Sequence, residues 1–227
     1  MLIINNNPEA INYLDRKPGE NTIAYYPLTS ESGLLDMSGN WHDLTLPNGA
    51  VTYDFTEFDR GIYNGGKPMR YGNLGTFDGS TWKFTVSFMF KSTANSWLFR
   101  FTNFWNGDRN NFDASTASGQ IAASIYTGSS ATRPNWGTWL DNGNRHHIVI
   151  TKNGSTYSWY QDGELKSTWT NSTTIICYNS SQLWCHPNNS SVATTQWLSE
   201  FIVENDPRDL NTVKDYFGKI KRKFNLN

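Results

Sequence analysis

The 227-residue sequence lacks most of the features that identify a function outright. No apolar run approaches the roughly 18 residues that cross a bilayer, so membrane insertion is not expected. The opening stretch, MLIINNNPEAINYLDRKP, reaches polar asparagine after a few apolar residues and has no signal-peptide hydrophobic region. Secretion through a leader is therefore not expected, and an extracellular role would need carriage in a particle or another route. Formal net charge is only -1, which gives no broad field toward nucleic acid or anionic lipid. The one basic run, KIKRKF at 219–224, is explained by a helix C-terminus complementing its own dipole. G-x-S-x-G and H-E-x-x-H are both missing, and with them the usual marks of a serine hydrolase or a zinc peptidase.

Cysteine is scarce too. Cys177 and Cys185 are the only two, too few for a disulfide framework. A hairpin through YNSSQLW would set them face to face for one bridge, and buried free thiols fit equally well. His186 beside Cys185 suits zinc, but third and fourth ligands are not evident.

What the chain has in abundance is aromatic and turn-forming residues. Phe, Trp and Tyr make up 15% of it, and such side chains fit a pleated, half-buried surface better than a helix. The polar remainder is rich in Asn, Ser, Thr and Gly. Strand patterns begin at TIAYYPL and continue through HDLTL, AVTYDF and RGIYN. The clearest is TWKFTVSFMFK, where Trp82, Phe84, Val86, Phe88 and Phe90 alternate with Lys83, Thr85, Ser87 and Met89. The aromatic row must face a core. Asn153-Gly154 and Asp162-Gly163 then separate three apolar-alternating runs, which predicts a meander with tight turns. QWLSEFIVE is one more strand, ended by Pro207. Beyond it the period changes, with Leu210, Val213, Phe217 and Ile220 at helical steps and Asp209 placed as N-cap. Five N-x-S/T sequons, at Asn153, Asn171, Asn179, Asn188 and Asn189, are no more than this composition yields by chance.

These patterns predict an all-β, closed two-sheet sandwich with one short C-terminal helix over 209–223. Residues 1–20 read as an irregular N-terminal arm and 21–227 as a single domain.

An acidic stretch tests the enzyme reading. Glu204, Asp206 and Asp209 read E-x-D-x-x-D, one methylene short of the E-x-D-x-x-E signature of β-jelly-roll glucanases. Retaining hydrolysis needs two carboxyl groups about 5–5.5 Å apart across the scissile bond. Pro207 and Arg208 interrupt the strand before Asp209, which splits the three acids between two elements. His146-His147 opens an apolar strand, where a structural role is expected over a catalytic one. No catalytic residues are expected.

Four segments, taken in order, resemble laminin-G-like domains of the concanavalin A-like lectin/glucanase superfamily, which implies a two-sheet antiparallel jelly-roll sandwich. They are IAYYPLTSESGLLDMSGNWHDLTL at 23–46, WKFTVSFMFK at 82–91, HHIVITKNGSTYSWYQDGEL at 146–165 and LSEFIVENDPRDLNTVKDYF at 198–217. The resemblance implies a structural Ca²⁺ between the first loop and the last strand, with Asp36, Asn40 and Glu200 as ligands. Ser199 stands where the family usually has a further aspartate. The fold hosts lectins, adhesion modules and hydrolases alike, so function has to be argued from a site.

Lectin sites on this fold stack loop aromatics on sugar rings and hydrogen-bond the hydroxyls with Asn, Asp and Arg. The candidates are Trp41; Trp105, Asp108, Arg109 and Asn110 in NFWNGDRNNF; and Arg133, Asn135, Trp136 and Trp139 in RPNWGTW. Each tryptophan has an alternative use as a plug at the rim of the core. The expected function is a non-catalytic module that binds a glycan or protein on a cell surface. Leaderless, Asn-rich domains with a short arm are similar to phage virion proteins, which implies a decoration, fibre or tail-associated role with the arm docking on an assembly partner. The rival readings are a carbohydrate-active enzyme or its accessory domain, and a purely structural assembly protein.

Overall fold

The computed structural model describes residues 21–29, 31–45, 52–53, 61–63, 69–70, 74–77, 83–93, 96–101, 111–117, 120–127, 130–132, 135–136, 140, 142–172, 175–177, 182–183 and 197–226. The expected arm at 1–20, together with Trp82, His186 and Cys185, lies outside them. In chain order the first strands are β1 (Thr22–Tyr26), β2 (Thr52–Tyr53), β3 (Ile62–Tyr63), β4 (Met69–Arg70), β5 (Gly75–Phe77) and β6 (Lys83–Lys91). Next come β7 (Ser96–Phe101), β8 (Asn111–Ala117), β9 (Gln120–Thr127), β10 (Ser130–Thr132) and β11 (Asn135–Trp136). The series ends with β12 (Arg145–Asn153), β13 (Thr156–Gln161), β14 (Glu164–Thr170), β15 (Ile175–Cys177), β16 (Gln182–Leu183) and β17 (Trp197–Glu204), then helix α1 (Leu210–Lys223).

The protein is mostly β, with antiparallel pairing throughout and a C-terminal helix. One sheet runs β14-β13-β12-β6-β17-β3-β2, with β1 also on β17. A second hydrogen-bonded set runs β10-β9-β8-β7-β16-β4 with β11 on β9, and β15 pairs β5 separately. Among the described residues of HDLTL, 42–45, only Thr45 makes a bridge. His42 turns its amide back to Asp36, and Leu44 donates to the Leu34 carbonyl, so these amides close a loop instead of a ladder.

The period-two pattern of β6 sends Phe84, Val86, Phe88 and Phe90 into the main core, among Tyr26, Tyr157, Trp159, Leu198, Phe201 and Val203. Met69 of β4 joins the same core. Each fully buried phenylalanine contributes on the order of 2 kcal/mol by leaving water. The other row of β6 is dry as well. Met89 packs with Tyr25, Trp197 and Ile202 under Tyr216, Ile220 and Phe224, while Val149 and Tyr160 meet Val213. Helix α1 covers this face, with Val213, Tyr216 and Ile220 buried and Phe217 only partly so. Asp209 caps it, its carboxylate accepting from the Thr212 amide at 2.7 Å. Lys221, Arg222 and Lys223 occupy its last turn, as the dipole favours.

Strand β17 carries an irregularity that the sequence pattern hides. Against β6, Ser199 faces Met89 and Ile202 faces Ser87, so β17 holds one residue more than its partner. Glu200 is that neighbourhood's left-handed residue, at φ 54°. The bulge resets the alternation so that Leu198 and Phe201, three apart, both reach the main core. It also divides the outer edge of β17 between β3 at Trp197–Leu198 and β1 at Phe201–Glu204.

Both expected hairpins form. At β13–β14 the turn residues Asp162 and Gly163 have φ of 53° and 81°, the paired positive values of a type I′ turn. At β12–β13, Asn153 pairs with Thr156, so the turn is Gly154-Ser155, with glycine first at φ 59°. Asp162 also braces the start of β12: Oδ2 lies 2.7 Å from His146 Nδ1 and Oδ1 accepts the His147 amide at 2.8 Å. Burial raises the Asp162 carboxyl, but the hydrogen bonds from His146 and His147, the His146 charge and Gln161 outweigh it and hold the group below 3.8. A depressed carboxyl stabilises the fold above its unfolded value, and that contribution disappears as pH falls through the lowered folded value. Asp162→Asn is therefore expected to flatten the loss of stability below pH 4 in acid-denaturation curves; an unchanged acid limb would contradict this.

Gly61 precedes β3 and lies against Trp197. A Cβ there would overlap the indole, which is held between the Arg145 guanidinium at 4.7 Å and the edge of Phe224 at 5.7 Å. Gly61→Ala is expected to lower unfolding free energy by about 1–3 kcal/mol in urea, and a neutral result would show that the indole is free to shift.

Candidate binding site

The segment between β1 and Thr45 is a loop organised around one carboxylate. Asp36 is buried at 9% exposure. Its Oδ1 accepts from the amides of Tyr25 and Ser38, both at 2.9 Å, and its Oδ2 from Ser38 Oγ at 2.8 Å and the His42 amide at 3.0 Å. The Asp36 amide in turn donates to Asp43 Oδ1 at 2.8 Å. Two further ties fasten the loop to β1: Asn40 Nδ2 donates to the Thr22 and Ile23 carbonyls, and Tyr26 Oη donates to the His42 carbonyl at 2.6 Å. Burial, then the negative charges of Asp36 and Asp43, push the Tyr26 phenol far above its ordinary range.

Between the pinned residues Asn40 and His42 stands Trp41. Its side chain is 88% exposed and its backbone is left-handed, φ 61°. An L-residue in that conformation costs roughly 1–2 kcal/mol relative to the right-handed region, and an indole in water gains nothing from the core. Leu35 and Met37, on the same loop, are exposed as well. The loop therefore buries its acid and displays its apolar side chains, the reverse of the ordinary surface pattern.

Each of the three residues that the resemblance assigns to calcium is engaged by protein groups. The ion takes six to eight oxygen ligands, whereas both Asp36 oxygens are occupied by protein donors. Asn40 directs its amide nitrogen, not its oxygen, at the β1 carbonyls. Glu200 sits at the other end of Tyr25: the tyrosine amide meets Asp36, while its hydroxyl donates to Glu200 Oε2 at 3.1 Å. The charge that compensates Glu200 is the Lys223 ammonium, bound to Oε1. Among the described residues, no group of three or more His, Cys, Asp or Glu is placed to hold a metal.

The acidic stretch of β17 separates as its proline requires. Arg208 grips Glu204 with two hydrogen bonds, Nε to Oε2 and Nη2 to Oε1, each 2.7 Å. Asp209 is the helix cap, and the Asp206 carbonyl accepts from Thr85 Oγ1 at 2.7 Å. Ser87 Oγ lies 3.0 Å from His147 Nε2, a spacing found in nucleophile–base pairs. Both residues are sealed from solvent, with the imidazole stacked on Phe217 at 5.9 Å. A buried pair under a helix braces; it does not meet substrate.

Of the other candidates, Asn135 and Trp136 lie on β11, opposite Ala122 and Ile121 of β9. Trp105, Asp108, Arg109, Asn110, Arg133 and Trp139 lie outside the described residues. Two residues of this region escaped the sequence reading. Lys223 was legible only as part of a basic helix end, and Arg208 only as an interruption. Asp36→Ala is expected to destabilise the fold by about 3 kcal/mol, since a buried carboxylate with several donors leaves unpaired amides behind. Melting temperatures in EDTA and in added Ca²⁺ are expected to coincide, because a ligand of the native state alone must raise the transition; a rise with Ca²⁺ would show that the Asp36 loop rearranges around a cation.

No protein-family model matches the chain, and no curated protein does. Solved structures do match its fold. The binding domain of Paraclostridial Mosquitocidal Protein 1 superposes with a TM-score of 0.69 at 16% identity, covering 88% of this chain and 52% of that one. The botulinum neurotoxin serotype D binding domain gives 0.69 at 12% identity, covering 88% and 51%. The serotype D ligand binding domain in complex with N-acetylneuraminic acid gives 0.67 at 13%, again covering 88% and 51%. The chain thus spans about half the length of the structures it matches, and those structures are binding domains.

Proposed function

We propose that this chain is a non-catalytic glycan-binding module built as a concanavalin A-like jelly-roll sandwich, with Trp41 as the residue that stacks on a sugar ring. The observation that carries the reading is the 88% exposed indole held at a strained backbone position by a buried carboxylate. Strain kept at an exposed aromatic is what a recognition site requires and a packing role does not. The fold likeness to binding domains supports it. The sugar named with the serotype D domain belongs to a chain about twice as long, so it supports a glycan ligand here only as part of the proposal.

No helix among the described residues is long and apolar enough to cross a membrane. Attachment to a cell surface from a virion, with the arm at 1–20 docked on an assembly partner, is the finer form of the same reading and rests on the sequence resemblance alone.

The test is a broad glycan array probed with the parent and with Trp41→Gly. Glycine adopts φ 61° without strain, so the variant is expected to melt at or above the parent temperature while losing at least about tenfold in affinity, or 1.4 kcal/mol. A variant that binds as the parent does, or a parent that binds no glycan, would remove this function.

A further inference from the structure

The Trp41 loop carries a charge signature that bears on which glycans it accepts. From Asn21 to Thr45 the sequence holds Glu31, Asp36 and Asp43 but neither lysine nor arginine, and His42 is its only basic residue. Glu31 and Asp43 are exposed, flanking the apolar display of Leu35, Met37 and Trp41. Asp36 lies directly beneath, one hydrogen bond from the residue after Trp41. Tyr26, whose hydroxyl donates to the His42 carbonyl at 2.6 Å, ties this loop to β1, and burial, then Asp36 and Asp43, push its phenol up.

Hydrogen-bonding polarity points the same way. Asn40 spends its amide nitrogen on the Thr22 and Ile23 carbonyls, which leaves Oδ1, an acceptor, as the other end of that amide. Asp43 contributes carboxylate oxygens, also acceptors. A rim of acceptors suits hydroxyl donors around an uncharged sugar ring. The carboxylate of an acidic sugar adds only further acceptors and brings a charge of the same sign. The anionic surface of a lipid bilayer is disfavoured for the same reason.

Resting on the glycan reading above, we infer that the Trp41 loop selects neutral saccharides and discriminates against sialylated ones, in contrast to the acidic sugar held by the serotype D domain. Several like charges within about 10 Å of a bound carboxylate, in a mostly aqueous setting, give about tenfold discrimination at low salt. Because the Debye length shrinks from roughly 30 Å at 0.01 M to 3 Å at 1 M salt, the gap is expected to close as salt rises.

The experiment uses matched array pairs, the same oligosaccharide with and without terminal sialic acid, at low and high salt, with the full chain and its Trp41→Gly variant. The expected result is a preference of about tenfold for the neutral members at low salt, narrowing at 1 M, with binding lost in the variant. Sialylated members bound equally or better, yet still dependent on Trp41, overturn the selectivity and leave the glycan reading intact. Binding that ignores Trp41, or no binding of either member, overturns both.

Discussion

Strand β6 has no solvent face, and the arrangement of the rest follows from that constraint. From Phe84 to Phe90 every residue is fully buried. Half of the strand is aromatic or aliphatic and needs only a core. The other half contains Thr85 and Ser87, which a dry environment accepts only with partners. Thr85 receives the Arg208 amide and donates to the Asp206 carbonyl, and Ser87 meets His147. The turn after β17 and the helix beyond it are thus what allow a mixed polar and apolar strand to occupy the middle of a sheet. Helix α1 excludes water from the outer face as the main core does from the inner one.

The bulge at Glu200 shows how that covering is fastened. A left-handed residue in a central strand is costly, and a buried carboxylate more so. Lys223 arrives from the last turn of α1 and Tyr25 from β1, so three elements converge on one charge. A buried ion pair adds little net stability relative to apolar packing, but loss of either partner leaves an uncompensated charge. Its effect here is to fix where the helix ends on the sheet.

Much of this fold was legible in the residue pattern because it depends on local periodicity. The alternation in β6, the Asp162-Gly163 turn and the capped helix are short-range features that appear where the pattern puts them, and the first turn falls one residue later than Asn153-Gly154. Pro207 likewise showed that Glu204, Asp206 and Asp209 could not act together. What stayed hidden depends on long-range partners. The carboxylate of Glu200 could be matched to a metal or to a lysine 23 residues away, and composition does not choose between them. In DMSGN, an aspartate that ties a turn and one that ligates a cation read identically. Trp41 was one tryptophan among ten. Its exposure follows from the backbone ties on either side, not from its neighbours in sequence. Within 42–45 a loop forms because the His42 and Leu44 amides donate to Asp36 and to the Leu34 carbonyl.

Among the described residues the sheet ends at β14, whose residues run from exposed to half-buried. An open strand edge offers bare amides and carbonyls to any other extended chain. Here Lys166 and Glu164 form an ion pair on that edge, and a bulge in its ladder falls between Trp159 and Tyr160. Charge and irregular twist together make a poor template for another strand. The consequence concerns colloidal behaviour: for a domain so rich in aromatic strands, this border disfavours edge-to-edge pairing with a second copy.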